Sequence, residues 1–106
     1  MRILGLLRKD KMVMSVFDIK SVILGGGNIR FKAEIDFDGK ELSRQQIRGY
    51  NLRNELSKIK SEEDLALLLE SFGEGIVSLL GNEVNRLEAA IQKEIPEMKH
   101  IDLEAH

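Results

Sequence analysis

Ile29-Arg30-Phe31-Lys32-Ala33-Glu34-Ile35-Asp36-Phe37 alternates without exception between apolar and charged side chains. Successive side chains of a β-strand point to opposite faces, so this spacing puts Ile29, Phe31, Ala33, Ile35 and Phe37 on one side and the four charges on the other. The sheet built around it has one buried and one wet face, as antiparallel sheets often do. Asp38-Gly39 ends the strand.

Upstream, residues 12–24 carry Val13, Val16, Phe17, Ile19, Val22 and Ile23, a β-branched and aromatic composition that predicts a strand. Gly25-Gly26-Gly27-Asn28 then supplies positive φ at little steric penalty and closes a hairpin with the alternating strand. A hairpin turn accounts for these glycines better than a phosphate cradle, because they open no helix. Ile3, Leu4, Leu6 and Leu7, followed by Arg8 and Lys9, read as a brief helix or the tail of one. The same start is too short in its apolar run, and too soon charged, to be a signal peptide.

Downstream, Ser43 with Gln46 three residues on has the spacing of a capping box and predicts a helix over 43–59, interrupted at Gly49. Ser61-Glu62-Glu63-Asp64 is a stronger start: an N-cap residue followed by acids where the helix dipole favours them. Leu65, Leu68, Leu69 and Phe72 form its apolar stripe, and Gly73 and Gly75 are expected to weaken or bend it. Ile76, Leu80, Val84, Leu87 and Ile91 continue at helical spacing, opposite Asn82, Asn85, Arg86, Gln92 and Lys93. Pro96 ends that helix near Glu94. From Lys99 to His106 the pattern alternates again, with Ile101, Leu103 and Ala105 inward and His100, Asp102, Glu104 and His106 outward.

The order is therefore helix, strand, strand, one or two helices, strand. It predicts an α+β fold, an open-faced ferredoxin-like sandwich lacking its first strand, with a three-stranded mixed sheet and helices on one face. Phe31, Ile35, Leu80, Val84, Leu87 and Ile101 are its expected core. One domain is expected over residues 1–106.

Composition narrows the chemistry. Sixteen bases nearly cancel eighteen acids, which leaves no basic stripe for nucleic acid. Without cysteine there are no disulfides or thiolate metal sites. The apolar runs Val22–Leu24 and Leu65–Leu69 fall far short of the ~20 residues a spanning helix needs, so no direct membrane insertion by this chain is expected. No nucleophile-and-base set can be assembled from two histidines near the end, so the chain is not expected to be an enzyme. Asp36, Asp38 and Glu41 lack the closing acid of a calcium loop, and Phe17, Phe31, Phe37 and Phe72 sit on core patterns.

Four ordered blocks, Val16–Lys20, Arg30–Gly39, Leu80–Glu88 and Pro96–Glu104, resemble the cytosolic C-terminal domain of cation diffusion facilitators, the zinc transporters of the cation efflux family. The resemblance falls in the branch that includes the mitochondrial zinc exporter of animals, which also carries extra helical sequence where this chain has residues 40–75. It implies a module on the cytoplasmic face of a membrane that follows a six-helix transmembrane domain and partners it. The resemblance also implies that the module pairs with itself as a homodimer. The chain would then be an excised segment or a truncated product of such a transporter. In many members the module binds zinc, which draws two modules together and tunes transport.

The family's ligands are a histidine late in the first strand, one in the second, and a histidine with an acid on the last. At the matching positions this chain has Phe17, Ala33, and the pair Asp102 and Glu104. Zinc favours nitrogen and sulfur, so two carboxylates make a degenerate site, suited at most to weak binding of zinc or another divalent cation. His100 and His106 share the outward face with them, but i, i+2 neighbours on a strand lie ~6.6–6.8 Å apart, so all four cannot chelate one ion without a partner chain. A solvated strand face is the simpler reading. The alternative to a transporter module is a free-standing soluble metal carrier resembling a metallochaperone, which would have to bind metal tightly alone.

Overall fold

The computed structural model describes residues 2–106. In chain order it contains α1 (Arg2–Lys9), β1 (Val13–Ile23), a 3-10 turn at Gly25–Gly27, β2 (Ile29–Phe37), α2 (Gly39–Ile47), α3 (Leu52–Lys58), α4 (Glu62–Glu94) and β3 (Met98–Ala105). The three strands form one mixed sheet in the order β1-β2-β3, with β1 antiparallel and β3 parallel to β2. The α+β open-faced sandwich expected from the element order is the fold observed. Gly26 and Gly27 take φ of 75° and 79° at the hairpin, where a side chain would be strained.

β2 lies centrally and buries Phe31, Ala33 and Ile35 completely. Against that face pack Ile3 and Leu7 of α1, Leu87 and Ile91 of α4, and Met98 and Leu103 of β3. Each large side chain so buried contributes about 1.5–3 kcal/mol. Val84 and Ile101 pack on the cluster half-buried. Leu80, expected in the core, is only half-buried and lies outside the buried cluster, because α4 is by then leaving the sheet. Ala105 is exposed at the strand end.

Arg86 ties α4 to the α1–β1 connection. Its Nε donates to the buried Glu83 at 2.7 Å and its guanidinium also reaches Asp10 at 2.9 Å. Burial works against the charged form, but the bonds to Glu83 and Asp10 outweigh it and hold the pKa above the ordinary arginine value.

The helical region between β2 and β3 differs from expectation in two places. The helix predicted over 43–59 begins earlier and is split. Asp38 caps α2, accepting from the Lys40 and Glu41 amides at 3.0 and 3.2 Å, and Ser43 lies inside the helix with its hydroxyl donated to the Gly39 carbonyl. An Asp cap was available five residues before the Ser43–Gln46 pair, and a better cap sets the start. Asn51 then caps α3 by accepting from the Asn54 amide at 3.1 Å. Second, α4 runs unbroken for 33 residues from the Ser61 cap, through both Gly73 and Gly75. A penalty near 1 kcal/mol per glycine does not break a helix held by flanking turns. Gly75 also gives room to α2: a Cβ there would collide with the Gln46 side chain.

β1 carries a bulge that the composition did not disclose. Asp18 sits at φ 50°, and Asp18 and Ile19 together face the single position Ala33 between the pairs Phe17↔Glu34 and Lys20↔Lys32. From Phe17 onward β1 is exposed at every residue.

The molecule measures 61 × 20 × 19 Å. A 33-residue helix is about 50 Å long, yet α4 buries only Glu83, Leu87 and Ile91. Its first half projects from the sheet as an arm, in contact with α2. Substituting Leu87→Ala is expected to destabilise the fold by about 2–5 kcal/mol in urea denaturation, whereas Ile23→Ala, 81% exposed, changes stability by less than about 1 kcal/mol.

Candidate functional site

The wet face of the sheet gathers the residues singled out by sequence. β3 turns Ile101 and Leu103 toward the core, which leaves His100, Asp102 and Glu104 exposed on the other side. The parallel register then sets Arg30 beside His100, Lys32 beside Asp102 and Glu34 beside Glu104. Glu104 pairs with Lys32 at 3.5 Å. His106, just past the strand, donates its amide to the Ile35 carbonyl, and its Nδ1 lies 3.1 Å from Glu34 Oε2. The His106 ring sits 4.6 Å from that of Phe17.

Strand β3 thus presents the four candidates on one surface but sends them to different neighbours. Among the described residues no three of His, Asp and Glu converge on a point that could hold a metal ion. Phe17 borders this surface, whereas Ala33 lies on the opposite face, fully buried against Leu87 and Ile91. Asp102 and His100 line a shallow depression together with Arg30, Lys32 and Lys99. Three cationic side chains around one carboxylate create a local field that opposes a further cation. Lys32 and Glu34 are the participants that inspection of β3 alone passes over. Their alternation marks them as outward-facing, but their partners depend on the parallel register.

Glu88 of α4 acts on the same strand from its edge, accepting from the Leu103 amide at 3.0 Å. That bond occupies a donor otherwise open to another strand.

A second concave feature lies on the arm. Ile47, Tyr50 and Leu52 face Leu68, Leu69 and Phe72 across an apolar cleft of about 250 Å³, with the Tyr50 and Phe72 rings 6.1 Å apart.

A small α+β domain with a bare charged sheet face, and with no helix among the described residues long and apolar enough to cross a membrane, is the class of protein these features define. Known proteins identify it further. The chain is 39% identical over 106 residues to the human "Proton-coupled zinc antiporter SLC30A9, mitochondrial", an alignment covering 97% of this chain and 19% of that protein. It is 40% identical over 112 residues to "Metal tolerance protein C4" of Arabidopsis thaliana, covering 99% of this chain and 24% of the relative. The Xenopus laevis zinc antiporter of the same name is 38% identical over 106 residues. Over nearly its whole length the chain matches the C-terminal domain of these relatives, which are cation diffusion facilitators. It spans about a fifth to a quarter of their length. No family model and no solved structure matches it.

Removing an exposed ion pair of the wet face should leave the fold intact, while removing the Arg86 tie should not. In urea denaturation Lys32→Ala is expected to change stability by less than about 1 kcal/mol. Arg86→Ala leaves Glu83 buried without its partner and is expected to destabilise by about 1–3 kcal/mol.

Proposed function

We propose that this chain is the cytosolic C-terminal module of a divalent-cation efflux transporter, with zinc or a similar ion as the cargo. It acts on transport by assembling as a homodimer and contacting the membrane part, not by catalysis. The identity of 39–40% over nearly its whole length to a zinc antiporter and a metal tolerance protein carries this reading. The cargo and the transmembrane partner come from those relatives.

The metal site of this module is degenerate. Phe17 and Ala33 stand at positions where the family's ligand pattern calls for imidazoles, and neither side chain can ligate. Asp102 and Glu104, the remaining matched positions, are held beside Lys32, with Arg30 and Lys99 close to the first of them. His106 is engaged with Glu34 and Phe17, and His100 stands opposite Arg30. Oxygen ligands set among cations bind a divalent ion weakly at best. What the module retains is a stable sheet-and-helix body and surfaces for contact with other polypeptide.

Two measurements test this reading. Replacing the matching segment of Metal tolerance protein C4 with this chain is expected to give a chimera that still moves zinc across the membrane. A chimera that reaches the membrane in normal amounts but carries no zinc counts against the module assignment. In a calorimetric zinc titration the chain is expected to give no saturable heat in the micromolar range, and the Asp102→Ala/Glu104→Ala variant should behave the same. Saturable heat that disappears in the variant would establish those carboxylates as a working sensor.

A further inference from the structure

The wet face of the sheet sorts its charges by end. The two rows nearest the β1–β2 turn are Val22–Arg30–His100 and Lys20–Lys32–Asp102, and Lys99 lines the depression between Arg30, Lys32 and Asp102. Beyond the bulge at Asp18 the next row, Phe17–Glu34–Glu104, is acidic. Lys32 reaches Glu104, but Lys20, Arg30 and Lys99 make no ion pair among the described residues. The acids at this end are Asp102, Glu97 at the start of β3, and Glu94, which Arg2 already holds. Like charges directly opposite, as at Lys20 and Lys32, destabilise a sheet, so this arrangement does not serve the fold.

The tip beside these rows is apolar. Val22 and Ile23 are 51% and 81% exposed. They point to opposite faces of the hairpin, Val22 beside Arg30 and Ile23 beside Ile29, and neither is covered. The turn closes tightly, with the Leu24 amide donated to the Asn28 carbonyl at 2.7 Å, and Gly25–Gly27 add no side chains. A pocket in a folded partner meets one face of a hairpin. A tip apolar on both faces suits a medium that closes around it end on. The tip also has a defined place in the molecule. β2 runs from it to Phe37, where the arm leaves, so the acids of the first half of α4 stand toward the far end of a 61 Å molecule. That separation exceeds the Debye length of ~8 Å several times over. Arg2 bonds Glu94 in the last turn of α4, just before β3 begins beside Ile29, so the start of α1 lies at the tip end.

We infer that the β1–β2 tip docks end on against an anionic lipid surface. Val22 and Ile23 enter at the boundary between headgroups and acyl chains, and Lys20, Arg30, Lys32 and Lys99 meet the lipid phosphates. The contact is interfacial and separate from spanning, which no helix among the described residues can do. The glycine turn keeps its backbone polar groups among hydrated headgroups, where they need no protein partner. The inference rests on the module reading: the chain matches the C-terminal domain of its relatives, so their larger part joins it at the Arg2 end, on the tip's side. A tip tethered in this way needs little affinity of its own, because the lipid stands at high effective concentration.

Cosedimentation of the 106-residue chain with vesicles tests it, using phosphatidylcholine alone and equal parts of phosphatidylcholine and phosphatidylglycerol. The chain is expected to bind the mixed vesicles at least about tenfold more tightly than the neutral ones, and less so as salt rises. Lys20→Glu/Arg30→Glu and Ile23→Ser, all at exposed positions, should each lower that binding at least about fivefold. Lys40→Glu/Arg53→Glu, which changes net charge equally but on the arm, should leave it as it was. Circular dichroism checks that each variant folds. No preference for the anionic vesicles, or an equal loss in the arm variant, overturns the inference. Binding that survives Ile23→Ser and is displaced by millimolar inorganic phosphate makes the bases a site for a free anion and overturns the docked tip. The module reading is judged separately, by zinc transport in the chimera.

Discussion

Burial of one side of β2 is the constraint on which the structure depends. Phe31, Ala33 and Ile35 are fully enclosed only because Leu87 and Ile91 of α4, Ile3 and Leu7 of α1 and the inward residues of β3 converge on them. That contact docks the C-terminal third of α4, and β3 follows α4 directly onto the free edge of β2. The parallel register that results puts Asp102 beside Lys32 and Glu104 beside Glu34. The arrangement of the charged face is therefore a by-product of how the opposite face packs.

The same constraint leaves the arm free. α4 is held to the sheet over Glu83, Leu87 and Ile91, and the helix simply continues outward in the other direction for more than four turns. Asp38 starts α2 immediately after β2, so the crossover between the two parallel strands must travel out along the arm and return through α4. The crossover is long because it builds a surface of its own. The exposed leucines there contrast with the sheet face, whose outward residues are mostly charged.

Much of the fold was legible from residue order. β2 and the Ser61 start of α4 carry patterns so regular that only one reading suits them, and Pro96 leaves no choice about where α4 stops. The capping of α2 was read too late because two local signals competed, and the Asp38 cap prevailed. The bulge at Asp18 left no trace in composition, since Asp is tolerated at positive φ but does not require it. At the candidate site, the outward direction of His100, Asp102, Glu104 and His106 followed from alternation. Their neighbours did not, because Phe17, Lys32 and Glu34 come from strands far away in sequence and reach β3 only through pairing.

Periodicity and capping, which act over a few residues, determined from sequence alone that this chain has a hairpin, a long amphipathic helix and a last strand with an acidic outer face. They also placed Phe31, Ile35 and Leu87 in the core. The tertiary structure decided what meets what: that Ala33 faces away from the carboxylates, that His106 goes to Glu34 and Phe17, and that the first half of α4 runs beyond the sheet and packs on α2 instead. The division has a physical basis. The direction of a side chain is a property of its own segment, whereas its partner is set by the register and docking of segments that the burial of β2 brings together.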